Sequence, residues 1–136
     1  MKEKLLELHK NSYVPISNFP VSCICVMKDG TEFPGVNVEN ASFGATLCAE
    51  RVAITGAIAR GYKKGDFKEI NVMISSGRVG MPCFACRQVI SELFEEDAIV
   101  RCFATTGEYK EFTVGELCPY PFTGDDLKWK VEWLVL

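Results

Sequence analysis

Two short segments constrain this chain more than any other feature. Thr46-Leu-Cys-Ala-Glu-Arg51 offers a thiol at Cys48 and a carboxylate at Glu50, and Met81-Pro-Cys-Phe-Ala-Cys-Arg-Gln88 offers thiols at Cys83 and Cys86. Pro82 is suited to open a helix, which puts Cys83 and Cys86 on one face of its first turn. Cys48 then comes from the start of a second helix, and both helix tips favour ionised thiolates. A fold that uses all three sulfurs must bring two helix starts, 35 residues apart in sequence, to one point.

Three chemistries suit that set. A Cys-x-x-Cys pair alone reads as a redox dithiol or as half of a structural zinc site. A third thiol with a nearby carboxylate reads as a catalytic zinc site, which has three protein ligands and one open position. Arg51, three residues after Cys48, leans over the same helix face and can donate to a thiolate. Glu50 reads either as a carboxylate answering the helix dipole or as a proton carrier beside the metal.

Composition removes several classes. The chain has 136 residues, 48% hydrophobic and 24% charged, as expected of one domain spanning 1–136 with its own core. The net charge of -3 and the absence of a long basic run argue against a nucleic-acid partner. Seven cysteines, an odd number, argue against a disulfide framework. No leader pattern and no 18-residue apolar run are present, so the expected location is the cytoplasm, with no membrane contact. Cys23, Cys25, Cys102 and Cys118 lie in apolar surroundings and read as buried thiols.

In chain order, residues 1–10 read as a short amphipathic helix, ended by Pro15, with His9 as a lone surface residue. Val21–Met27 and 31–38 read as a hairpin around Asp29-Gly30. Asn37 and Glu39 share one strand face, either as solvated residues or as hydrogen-bonding groups for a ligand. The run 47–60, apolar on several sides, is a helix that fills the domain or also meets another subunit. Strands over 69–75, 98–104 and 109–114 alternate with a helix over 82–94, and the last strand, with interleaved charges, reads as an edge. The alternating apolar residues of 125–136 suggest an extended segment lying on the body or on a partner.

The Cys-Ala-Glu segment, Pro-Cys-x-x-Cys-Arg-Gln and Gly35-Val-Asn-Val-Glu-Asn-Ala-Ser42 together resemble the small homotetrameric zinc-dependent cytidine deaminases of pyrimidine salvage, from Tyr13 to Phe122. The resemblance implies a three-layer α/β/α fold with a mixed sheet of about five strands and one Zn2+ per chain at two helix starts. It implies Cys48, Cys83 and Cys86 as ligands and Glu50 as the catalytic proton carrier. Glu50 takes a proton from the attacking water, passes it to ring N3, and carries another to the amine that leaves C4 as ammonia. It implies Asn37 and Glu39 on the ribose hydroxyls, Phe19 beside the base, the Ala49 carbonyl on the amino group, and Phe43 and Phe122 meeting a site across a subunit boundary. Phe19 also reads as a core aromatic at a strand start. Gln88 is expected to orient the second helix start.

The chain departs from the family pattern at Phe84, where glycine is usual between the paired cysteines. A phenyl ring there either points away from the metal or narrows the pocket. Phe43 stands for a common tyrosine, and Ser22-Cys23 for Gly-Ala. The reading is deamination of cytidine and 2′-deoxycytidine. The alternatives are deamination of a modified aminopyrimidine nucleoside and a non-catalytic zinc-stabilised oligomeric module.

Overall fold

The structure, a computed structural model, describes residues 1–127. Nearly all of the expected C-terminal extended segment lies outside the described residues.

Alternation along the strands builds the architecture. Strand β1 (Val21–Met27) sends Cys23, Cys25 and Met27 to one face and Ser22 and Ile24 to the other, and all five are buried. A strand buried on both faces belongs inside a sheet, and β1 does lie between β2 (Glu32–Val36) and β3 (Phe67–Ile74). Strands β4 (Ile99–Phe103) and β5 (Tyr109–Thr113) complete the order β2-β1-β3-β4-β5. The β3–β4 pair is parallel and the other three pairs are antiparallel, so the sheet is mixed, as expected. Gly30 takes φ +89° in the β1–β2 turn, a conformation glycine adopts without steric cost. The charges that mark β5 as an edge are used across the sheet, where Arg101 on β4 pairs with Glu111 at 2.7 Å and also with Glu69 on β3.

Helices cover both faces. Helix α1 (Lys2–His9) packs Leu5 against Ile24, Met73 and Phe103. On the opposite face α2 (Ala49–Ala59) and α3 (Phe84–Leu93) close the larger core, with Ala49, Ala53, Ile54 and Ile90 against Cys25, Ile70, Val72, Val100 and Cys102. Burying a side chain such as Ile54 fully is worth about 1.5–3 kcal/mol. A last short helix, α4 (Val114–Leu117), is opened by a capping box in which Thr113 and Glu116 bond reciprocally.

Several boundaries shift, each for a local reason. Leu47 is extended because it pairs with Val38, so α2 begins at Ala49 with Cys48 as its N-cap. Pro82 precedes the N-cap Cys83 and does not open α3. Helix α1 stops at His9, well before Pro15. His9 is not a bare surface residue, since its Nε2 lies 3.1 Å from the Met73 carbonyl and ties α1 to β3. Of the four thiols expected to be buried, Cys23, Cys25 and Cys102 are, whereas Cys118 is half-buried.

Candidate metal centre and active-site cavity

The two N-caps, Cys48 and Cys83, converge with Cys86 at the ends of α2 and α3. The three Sγ atoms lie within 4.8 Å of one another, and Cys48 and Cys83 are 3.8 Å apart. Sulfurs on a tetrahedral ion with a zinc–sulfur bond of about 2.3 Å are separated by about 3.8 Å. Cys83 is pinned by the Cys86 amide, which donates to its Sγ at 3.4 Å. Arg51 Nη2 donates to Cys48 Sγ at 3.3 Å, and its buried Nε meets no acceptor among the described residues.

The thiols do not share charge evenly. Hydrogen bonding with Cys86, and then the Arg51 guanidinium, pull the Cys48 thiol down to about 5. Cys86 is raised, by that same bond to Cys48, by burial and by the nearby Glu50. Thiols this close need a cation among them before all can ionise. Three soft donors within 4.8 Å of one another, one pair of them at tetrahedral spacing, therefore suit zinc and leave a fourth position to another ligand.

Glu50 is 4% exposed and lines the same cavity as Cys48 and Cys83. Burial pushes its carboxyl above the ordinary range, and the negative charge on Cys48 adds to the rise. A carboxyl held in that state can both take and return a proton.

The cavity encloses about 230 Å³ and is also lined by Phe19, Asn37, Glu39, Ala49 and Met81. Asn37 and Glu39 clamp the loop that carries Phe19. Asn37 Oδ1 accepts from the Val21 amide and its Nδ2 donates to the Phe19 carbonyl, each at 2.9 Å. Glu39 Oε1 accepts from the Ile16 amide at 3.0 Å and the Ser17 amide at 3.1 Å, and the Ser17 hydroxyl and amide hold its carboxyl below the usual range. Each side chain keeps further capacity for a ligand, the second carboxylate oxygen in one case and the second amide hydrogen in the other.

Ala49 needs correction. Its carbonyl oxygen lies against Gly35 on β2, where a helical carbonyl meets the amide four residues on, near Ala53 N. The carbonyl is thus committed to the helix, and the group free to meet a ligand is the Ala49 N–H, an amide of the first turn with no intrahelical acceptor.

Three other expected residues stand elsewhere. Gln88 does not orient the helix start, because its Nε2 donates to the Phe122 carbonyl at 2.8 Å. Phe43 is 75% exposed and Phe122 57% exposed, and neither lines this chain's own cavity. Phe84 is 76% exposed and stacks on Arg87, 4.3 Å from guanidinium carbon to ring centroid, so it does not narrow the pocket. Sequence reasoning missed Arg87 and Gly35. The signal for Gly35 was a glycine inside a strand pattern, which marks a close backbone approach; for Arg87, Pro82 and Phe84 are close in sequence, and what local reading could not supply is the Leu117 carbonyl 30 residues away.

The family model described as "Cytidine and deoxycytidylate deaminase zinc-binding region" matches residues 1–102. The chain belongs to the cytidine and deoxycytidylate deaminase family. Within that family it is similar to the cytidine deaminase of Halalkalibacterium halodurans, with 40% identity over 92% of this chain and 93% of that one. A cytidine deaminase of Sporosarcina psychrophila shares 36% identity over 96% of this chain and 97% of its own length. The crystal structure of cytidine deaminase from Burkholderia pseudomallei superposes with a TM-score of 0.85 at 39% identity, covering 88% of this chain and 94% of that one. The three-layer fold and the zinc-binding region of this deaminase family are therefore those of the chain, and Cys48, Cys83 and Cys86 are the group placed to hold the ion.

Proposed function

We propose that the chain hydrolyses cytidine and 2′-deoxycytidine to uridine and 2′-deoxyuridine, releasing ammonia. The observation that carries this reading is Glu50, a carboxyl raised by burial in the same cavity as two of the three convergent thiols. Zinc held by Cys48, Cys83 and Cys86 would supply the Lewis acidity that eases proton loss from water. Glu50 takes that proton, delivers it to ring N3 as the water oxygen adds to C4, and moves a second proton to the amine as the C4–N bond breaks. Phe19 offers its ring face to the base, Asn37 and Glu39 meet the sugar hydroxyls, and the Ala49 N–H donates to an acceptor on the pyrimidine. Arg51 offsets the charge of the sulfurs.

A free nucleoside is the substrate class supported by the small cavity and by the net charge of -3. Among the described residues no helix is long and apolar enough to cross a membrane. The seven free cysteines support a reducing, cytoplasmic setting. We further infer a homotetramer with shared sites, in which Phe43 and Phe122 serve neighbouring cavities. Their exposure and their place outside the lining of their own cavity support this, as does the outward face of α2, where Ile58 is exposed and Val52 and Gly56 are half-buried.

The test is ammonia release from zinc-loaded protein against cytidine, deoxycytidine, cytosine, dCMP and adenosine. The two pyrimidine nucleosides are expected to react. Zinc binding with no ammonia from any aminopyrimidine nucleoside would reduce the chain to a zinc-stabilised oligomeric module.

A further inference from the structure

Arg87 follows Cys86 directly, yet it does not line the cavity that Cys83 shares with Glu50. Its guanidinium is committed to three neighbours. Nε donates to the Pro82 carbonyl at 2.9 Å, Nη1 donates to the Leu117 carbonyl at 3.2 Å, and the Phe84 ring covers the group at 4.3 Å. The Arg87 carbonyl in turn accepts from the Cys118 thiol at 3.4 Å.

The Pro82 carbonyl belongs to the planar peptide that leads into Cys83. Rotation of that peptide would swing Cys83, which is the exposed member of the thiol trio and so is held less by packing than Cys86 is. Leu117 closes α4, which rests on the core through Val114 and Leu117. Arg87 therefore ties the turn before Cys83 to a rigid part of the fold. The Phe84 ring lies over one face of the guanidinium, a cation–π contact that adds to the hold on it. A glycine at 84 would leave that side open.

We propose that Arg87, capped by Phe84, is a positioning residue that fixes the Pro82–Cys83 peptide and so sets how firmly Cys83 is held for the metal. This rests on the thiol trio being a zinc site. The readout is the rate at which zinc-loaded protein yields its metal to excess chromogenic chelator, alongside KM and kcat for cytidine. Arg87→Gln should release zinc about 10- to 100-fold faster, and Arg87→Lys, which keeps the charge but not the planar fork, should lie between it and wild type. Phe84→Gly should speed release by about two- to fivefold and add nothing in the Arg87→Gln background, because its effect runs through Arg87. KM should stay within about twofold throughout, since neither side chain lines the cavity.

Unchanged release from Arg87→Gln, or a Phe84→Gly effect that persists undiminished without Arg87, would overturn the role of Arg87 alone. Should Arg87→Gln not fold, Phe84→Gly and Arg87→Lys decide by the same rates. A wild-type protein that takes up no zinc would overturn the metal reading beneath it.

Discussion

Gly35 lies against Ala49 with no room for a side chain between them. A Cβ on Gly35 would come within 2.7 Å of the Ala53 amide nitrogen and would meet the Ala49 carbonyl oxygen more closely still. Strand β2 thereby seats the first turn of α2, the turn that presents Cys48 and Glu50. Gly35→Ala must push the helix start outward, and overpacking of this kind costs about 1–3 kcal/mol or more. Urea denaturation should show that loss together with weaker zinc retention, whereas wild-type stability in the variant would mean the contact is soft.

Glu50→Gln should keep the fold and the zinc while kcat falls by at least about 10²-fold, the lower range for lost acid–base catalysis. Its melting temperature should be no lower than that of wild type, because the substitution removes a carboxyl that burial disfavours. Metal analysis with ammonia assays separates this outcome from a structural role, in which zinc would be lost with the carboxylate.

Cys48→Ala should bind zinc far more weakly and lose the stability that the metal adds. Metal binding to a site absent from the unfolded chain is linked to folding. Chelator should therefore lower the melting temperature of wild type and leave that of the variant unmoved. Equal chelator shifts in both proteins would remove Cys48 from the ligand set.

Glu39 makes stability depend on pH in a defined direction. Its folded-state carboxyl is held below the ordinary value, chiefly by Ser17. The contribution is therefore present above the unfolded value and disappears as pH falls through the folded one. Glu39→Gln should be less stable than wild type at neutral pH, and the gap should close in acid. A gap that stays constant as pH falls well below the ordinary carboxylate range would show that the carboxylate charge is not what holds the loop.

Phe122 and Glu50 can be tested as partners from different chains. Phe122→Ala and Glu50→Gln should each be weakly active alone. Mixing the two under subunit exchange should restore activity, since one cavity can then draw an intact Glu50 from one chain and an intact Phe122 from another. No gain after exchange would exclude a shared site.

The chemistry was legible in the sequence wherever it rested on short spacing. Cys83 and Cys86 are three residues apart, and Arg51 is three from Cys48, so one helical turn dictates who can meet whom. The buried strands were legible for a similar reason, since Val21–Met27 offers almost no polar side chain to present to water. Boundaries slipped where a distant pairing intervened, as when the Val38–Leu47 bridge drew Leu47 out of the helix. Gln88 was misassigned because its partner, the Phe122 carbonyl, lies 34 residues away.

From residue types and local periods alone came the thiol trio, the carboxylate beside it and the alternation of strands and helices. Those follow from side-chain chemistry and from repeats of two and 3.6 residues, which need no knowledge of the rest of the chain. Tertiary packing alone decided that Glu50 is buried, that the Ala49 carbonyl turns to Gly35, that Phe84 caps Arg87 and that the Phe19 loop hangs from Asn37 and Glu39. Each of these depends on segments far apart in sequence arriving at one place, and the desolvation and backbone contacts they create exist only after the chain has closed on itself.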